Sequence, residues 1–122
     1  MKKSYIFLLS LLFALFLNGC KYDFILPEKV PVITTPPTFA LQIAPIFSSG
    51  NKCTSCHNGA QEPDLRATSA YSQLVPKYVN TASPASSKIY MNALPGSSHF
   101  EHVTATQAAW ILAWITDGAK NN

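Results

Sequence analysis

The stretch Cys53-Thr54-Ser55-Cys56-His57 determines most of what can be predicted from this sequence. Two cysteines separated by two residues can form a redox-active dithiol, but such pairs sit near a β-α-β pattern, and no strand-like alternation follows residue 38. The pair can also supply half of a zinc site, with His57, His99 or His102 completing the ligands. Neither interpretation requires a histidine directly after the second cysteine.

The full pattern Cys-x-x-Cys-His is the attachment motif for a c-type haem. The thiols of Cys53 and Cys56 can each add across one vinyl group of the same porphyrin. The thioether links then place the imidazole of His57 beneath the iron as the proximal axial ligand. The motif therefore predicts one covalent haem c. Because this attachment takes place outside the cytoplasm, the chain should also carry an export signal.

The N-terminus has the composition of such a signal. Two lysines precede an apolar run from Tyr5 to Leu17, which is too short for a membrane span of about 20 residues. The next residues, Leu17-Asn18-Gly19-Cys20, resemble the bacterial lipobox, in which cleavage before the cysteine leaves its thiol carrying diacylglycerol. We therefore predict a lipoprotein signal peptide over residues 1–19 and lipidation of Cys20. An ordinary signal peptide with a chance cysteine is the alternative.

The rest of the chain is short and nearly neutral. The whole sequence has 122 residues and a formal charge of +3, of which Lys2 and Lys3 belong to the predicted signal peptide. This length allows one domain. Since there is one arginine and no basic stripe, we do not expect nucleic acid as a partner.

Residues 20–38 contain four prolines. Proline removes amide donors and favours extended geometry, so we predict a semi-rigid tether over this range. An edge strand through Tyr22, Phe24 and Leu26 is the alternative. In either case the folded domain should begin near Thr38.

The pattern from residue 39 onward predicts four short helices and an all-α domain. The first has Phe39, Ile43 and Ile46 on one face, Thr38 as its N-cap and a kink at Pro45. The second covers Ser69–Val75, capped by Thr68, and the third runs from Ser83-Pro84 to about Leu94.

The fourth helix has the clearest pattern. Thr104 and Gln107 form a capping box at its start, and Gly118 lies near its end. We predict that Trp110 and Trp114, one turn apart on this helix, pack in the core. Because a core of about 80 residues supplies only a few kcal/mol, a further group should fill the centre of the domain.

In these features the chain resembles the small c-type cytochromes, in particular monohaem domains carried on bacterial lipoproteins. The resemblance covers roughly residues 39–119. It rests on the attachment motif, Ala44-Pro45-Ile46-Phe47, Pro63-Asp64-Leu65, Ser87-Lys88-Ile89-Tyr90, Ile111-Leu112-Ala113-Trp114-Ile115 and Asp117-Gly118-Ala119. It implies a cytochrome c-like domain over residues 39–122. It also implies that the carbonyl of Pro63 accepts the Nδ1–H of His57 and that Leu65 packs on the porphyrin.

The sequence departs from this family at the sixth iron ligand. The family usually supplies a methionine from the loop before the last helix, and here that loop contains none. We expect His99, which lies near that position, to be the distal ligand, with Met91, His102 or an open site as alternatives. Since imidazole does not favour ferrous iron as a thioether does, histidine should lower the reduction potential. An open site would instead bind peroxide, NO or CO.

The resemblance implies electron transfer rather than enzymatic catalysis. We expect a lipid-anchored cytochrome in a bacterial envelope, with the outer membrane favoured because Lys21 is not the aspartate of an inner-membrane retention signal. Its partners would be envelope redox proteins. The candidates to pair with haem propionates or with such a partner are Lys52, Arg66, Lys77 and Lys88. The alternatives are a haem enzyme or gas sensor with a labile sixth ligand, and a metal-binding envelope lipoprotein without haem.

Overall fold

A computed structural model describes residues 29–122 of the chain, apart from the side chain of Asn51. The predicted signal peptide, Cys20 and the first part of the tether lie outside this range. Four α-helices and no β-strand occur within it. The helices are α1 (Ala44–Ser48), α2 (Ala70–Leu74), α3 (Lys88–Ala93) and α4 (Ala105–Thr116). A π-helical turn, Phe39–Ile43, leads into α1, and 3-10 turns occupy Ser49–Asn51 and Pro84–Ser86. The described part of the chain is therefore all-helical, as predicted.

Helix α4 begins as its sequence predicts. The hydroxyl of Thr104 accepts the amide of Gln107 at 3.2 Å, and the Gln107 side chain accepts the amide of Thr104 at 2.9 Å. The helix ends before Gly118, whose φ of +95° is a left-handed conformation that a glycine adopts without steric cost. The capping box and the glycine each depend only on residues close to them in the sequence. The predicted capping box is confirmed.

The start of the first helix differs from the prediction in two respects. Thr38 occupies the N-cap position, but its side chain caps nothing, and instead the Gln42 side chain accepts the Thr38 amide at 2.8 Å. Pro45 does not kink a continuous helix. It lies in the first turn of α1, where a missing N–H costs no hydrogen bond, and the wider π turn precedes it.

The second and third helices are shorter than predicted. The N-cap position of α2 is Ser69 rather than Thr68, and its side chain makes no cap bond. The third predicted helix is interrupted at Ser87, which has an extended backbone with φ −62° and ψ 129°. The Ser87 hydroxyl is buried and accepts the amide of Asn80 at 2.9 Å. This bond to a distant residue holds Ser87 out of the helix and divides it into the turn Pro84–Ser86 and α3.

The core forms where the π turn meets α4. The Trp114 side chain is 1% exposed, and its ring centre lies 5.3 Å from that of Phe39. Phe39 also meets Tyr71 edge-on at 5.2 Å. The indole N–H of Trp114 donates to the carbonyl of Lys120 at 2.9 Å. Trp114 is thus a core residue, as predicted, while Trp110 is half-buried against the same core.

The start of the π turn meets Asn122 at this core. The amide of Ala40 donates to the carbonyl of Asn122 at 2.8 Å, and the amide of Phe39 donates to the Asn122 side chain at 3.0 Å. The hydroxyl of Tyr71 donates to the carbonyl of Ala119 at 3.0 Å. These bonds leave the opposite side of the domain, around the attachment motif, to form the site described below.

Part of the predicted tether lies against the domain. Ile33, Thr34 and Pro36 border a shallow groove with residues of α4, and Pro37 is buried. Residues 29–38 contain no helix. Among the helices of residues 29–122, none combines the length and the hydropathy that a membrane crossing requires.

Candidate functional site

The attachment motif forms a single helical turn. The carbonyl of Cys53 accepts the amides of Cys56 at 3.3 Å and His57 at 2.9 Å. Side chains at positions i, i+3 and i+4 of such a turn are neighbours on one side. Cys53 is half-buried and Cys56 is exposed, and both are unbridged. The backbone therefore places Cys53, Cys56 and His57 on one turn.

His57 is held at both its side chain and its main chain. The residue is 7% exposed, and its Nδ1 lies 3.0 Å from the carbonyl oxygen of Pro63. Because a carbonyl only accepts, Nδ1 carries the proton, and in the neutral ring the lone pair lies on Nε2. The main-chain carbonyl of His57 accepts the amide of Leu65 at 2.8 Å. The ring is thus oriented as a metal-binding histidine is, by a hydrogen bond from its second nitrogen.

These contacts involve the residues that the family resemblance implies. Pro63 and Leu65 are both buried, and both line the same cavity as His57. The cavity has a volume of about 230 Å³. Its apolar lining comes from Phe47, Pro63, Leu65, Tyr78, Ile89 and Val103. Cys53 also lines it, so one of the two motif thiols faces the same space as the imidazole.

His99 reaches this cavity from the loop before α4. Its ring centre lies 5.9 Å from that of His57, and the two ring planes are 20° from parallel. The Nδ1 of His99 lies 3.3 Å from the carbonyl of Glu101, so its lone pair also lies on Nε2. With metal–nitrogen bonds of about 2 Å, two imidazoles on opposite sides of one ion have ring centres roughly 6 Å apart. The observed separation of the ring centres is close to this length, and the two rings are stacked.

The other candidate distal ligands lie elsewhere. Met91 is 53% exposed and is not among the residues that line the cavity. His102 is exposed, and its Nε2 lies 3.1 Å from the carbonyl of Ser97, so that nitrogen carries a proton. Of these three side chains, the structure brings His99 alone to the cavity wall.

Of the four basic candidates, two form ion pairs with carboxylates and two are exposed lysines away from the cavity. Arg66 forms a two-pronged ion pair with Asp64, and Lys77 pairs with Glu62. These contacts lower the pKa of each carboxyl group and raise the pKa of each basic group, chiefly through the hydrogen bond between them. Lys52 and Lys88 are exposed and do not line the cavity.

Two acidic residues of the site are absent from the sequence-based candidates. Glu62 and Glu101 both line the cavity. Burial raises the pKa of the Cys53 thiol, and the charge of Glu101 raises it further, while Lys52 acts in the opposite direction. The only sequence signal for Glu101 was its place two residues after His99. Glu62 directly precedes Pro63, but no sequence pattern identifies it as a residue of the site.

The donor set suits a haem rather than a bare ion. Within residues 29–122, no three His, Cys, Asp or Glu side chains come together as a site for a metal ion on their own. A haem iron receives its equatorial nitrogens from the porphyrin and needs only axial ligands from the protein. His57 and His99 can supply those ligands, Cys53 and Cys56 can supply the thioethers, and the apolar wall suits a porphyrin face. The residues present therefore fit the group that the motif predicts.

Comparison of the chain with protein-family models, with curated proteins and with solved structures found no match.

Proposed function

We propose that this protein is a monohaem c-type cytochrome that transfers electrons in a bacterial envelope. The observation that carries the proposal is the placement of His57 and His99 on one cavity, with ring centres 5.9 Å apart. Cys53 lines the same cavity, and the carbonyl of Pro63 orients His57. In this proposal residues 39–122 form a cytochrome c-like domain around one haem c.

The haem would supply a reversible one-electron couple, and the chain's own residues set the conditions for it. Cys53 and Cys56 would hold the haem through thioethers, while His57 and His99 would bind its iron. Two imidazoles without a thioether favour the ferric state, so the reduction potential should be low for a cytochrome c. The apolar side chains of the cavity, including Leu65 and Phe47, exclude water from the site.

The location in the envelope rests on the N-terminal sequence. The lipobox-like residues ending at Cys20 support an N-terminal lipid, and Lys21 favours the outer membrane because it is not the aspartate of an inner-membrane retention signal. Stable anchoring takes more than one acyl chain. An anchored cytochrome needs little intrinsic affinity for a redox partner in the same membrane, since tethering raises the effective concentration. We expect no nucleic acid partner and no enzymatic substrate.

The central test is whether the exported chain acquires covalent haem. The full chain, expressed with a c-type haem maturation system, should give a Soret band and keep its haem after denaturation. The matched control is the double variant Cys53→Ala/Cys56→Ala, which should be exported but should lose the covalent haem. A purified wild-type protein without a Soret band would overturn the proposal and leave a metal-binding or structural lipoprotein.

One observation supports a haem enzyme or gas sensor as the second candidate. His99 is half-buried in a loop, and its side chain and amide are each held by hydrogen bonds of 3.3 Å. The bonds that hold His57 are 3.0 and 2.8 Å. A more weakly held distal ligand exchanges more readily. A high-spin ferric spectrum with rapid cyanide binding, and rapid CO binding after reduction, would favour this candidate. A low-spin ferric spectrum, with a reduced spectrum unaffected by CO, would favour electron transfer.

A further inference from the structure

The loop that follows the motif contains an ion pair between Asp64 and Arg66. Asp64 accepts the Nε of Arg66 at 3.0 Å and the Nη2 at 2.6 Å, and it also accepts the backbone amide of Arg66 at 3.0 Å. The guanidinium lies over Gly59, where an added Cβ would be 3.0 Å from Nη2. We call this ion pair the clamp. It joins two residues of the loop that are separated by Leu65 alone.

The clamp lies next to the two residues that bond to His57. Pro63, whose carbonyl accepts Nδ1 of His57, directly precedes Asp64, and Leu65, whose amide donates to the His57 carbonyl, lies between the two clamp residues. At the C-terminal end of the loop, the carbonyl of Arg66 accepts the amide of Ala70 at 2.8 Å, at the start of α2. The loop is therefore bonded to the motif through Leu65 and to α2 through Arg66, with the two clamp residues on either side of Leu65.

The Asp64–Arg66 pair has a defined hydrogen-bond geometry as well as opposite charges. The Asp64 side chain is 12% exposed and receives both prongs of the guanidinium, together with a main-chain amide. Planar, two-pronged contacts of this kind fix direction in a way that a single lysine contact does not. The exposed Lys77–Glu62 pair lacks such a fork, since lysine presents a compact point charge.

We propose that the Asp64–Arg66 clamp is a positioning device for the proximal histidine, tuning the iron through the hydrogen bond from Nδ1 of His57 to Pro63. This inference rests on the proposed function, since it concerns the haem iron that His57 would hold. A strong Nδ1–H···O bond makes an imidazole a better electron donor and stabilises ferric iron. Loosening the loop weakens that bond, so the reduction potential should rise.

The test compares variants that remove opposite charges. In the haem-loaded full chain, Asp64→Asn removes a negative charge and Arg66→Gln removes a positive charge, while both break the clamp. If the charges acted only through space, the two variants would shift the reduction potential in opposite directions. Loss of positioning shifts it upward in both variants and changes the ferric electron paramagnetic resonance g values. Arg66→Lys keeps the charge without the fork and should also shift the potential upward.

The matched control is Lys120→Gln, which breaks the 3.0 Å ion pair with Asp117 at the end of α4. It should leave the potential and the g values at their wild-type values. Unchanged potentials in both clamp variants, or shifts of opposite sign, would overturn the positioning role. Failure of the proposed function has a different outcome, because the unmodified protein would then carry no covalent haem at all.

Discussion

His57 and His99 lie on the same cavity with their ring planes 20° from parallel, yet they are anchored very differently. His57 is buried and held by hydrogen bonds to a neighbouring loop, whereas His99 is half-buried in the segment before α4. If both bind one iron, the proximal ligand is the rigid one and the distal ligand is the replaceable one. The first prediction follows from this difference.

Replacing the distal ligand should change the spin state without unfolding the protein. In haem-loaded His99→Ala we expect the low-spin ferric signal to become high-spin, because no second strong ligand remains. Low-temperature electron paramagnetic resonance measures this directly. Met91→Ala and His102→Ala serve as controls and should stay low-spin, since neither side chain lines the cavity. A low-spin signal that persists in His99→Ala would contradict the assignment of the distal ligand.

The two motif thiols should react at different rates before haem is attached. Burial raises the pKa of Cys53 and covers its sulfur, whereas Cys56 is exposed. Only the thiolate attacks an alkylating reagent, so Cys56 should be modified several-fold faster than Cys53 near neutral pH. Mass spectrometry of the haem-free protein after brief iodoacetamide treatment gives both rates. Unfolding in urea is the control and should bring the two rates together, whereas equal rates in the folded protein would refute the prediction.

The folded domain should depend strongly on Trp114. Its side chain is 1% exposed, packs on Phe39 and donates to a carbonyl. Trp114→Ala should lower the free energy of unfolding by about 3–5 kcal/mol, from lost burial and the cavity left behind. Trp114→Phe keeps part of the packing but loses the hydrogen bond, which is worth about 1 kcal/mol by itself.

Urea unfolding followed by circular dichroism measures these changes. The same substitutions at Trp110, which is half-buried one turn earlier on α4, provide the matched comparison and should cost less. Equal losses at the two positions would show that the core does not centre on Trp114.

Acid should destabilise the domain partly through Asp64. The hydrogen bonds from Arg66 lower the pKa of this carboxyl in the folded protein, so the folded state binds fewer protons than the unfolded state. The resulting stability is fully present above the unfolded pKa of about 3.9 and is lost as the pH falls below it. Glu62, with its pKa lowered by Lys77, acts in the same direction.

We therefore expect the urea midpoint to fall as the pH drops from about 5 to about 3, the range over which unfolded carboxyl groups gain protons. Asp64→Asn should show a shallower fall, because the amide does not titrate. Since Arg66 is largely exposed, added salt should weaken the effect. A variant whose midpoint falls as steeply as that of the wild type would show that this pair contributes nothing to acid sensitivity.

Features that depend on a few neighbouring residues were predictable from the sequence. The capping box of Thr104 and Gln107 is formed by bonds within three residues, so no distant contact was needed to establish it. The motif Cys53–His57 likewise closes its own turn through the carbonyl of Cys53. The buried position of Trp114 followed from the apolar periodicity of α4.

Other features depend on specific side-chain contacts that helix propensity and capping patterns do not indicate. Ser87 leaves the predicted third helix because its buried hydroxyl bonds to Asn80, and no local propensity signals that contact. Thr38 and Pro45 also have different roles from those predicted, because the Gln42 side chain and the π turn satisfy the start of the first helix.

The sequence by itself therefore determined the helical class and the placement of Cys53, Cys56 and His57 on one turn, since both arise from spacing along a short backbone segment. Only the tertiary structure placed His99, and not Met91 or His102, on the cavity wall, because that depends on how the loop before α4 packs against the cavity. It alone also revealed the Asp64–Arg66 clamp, whose importance comes from the contacts that its loop makes with His57 rather than from the two residues themselves.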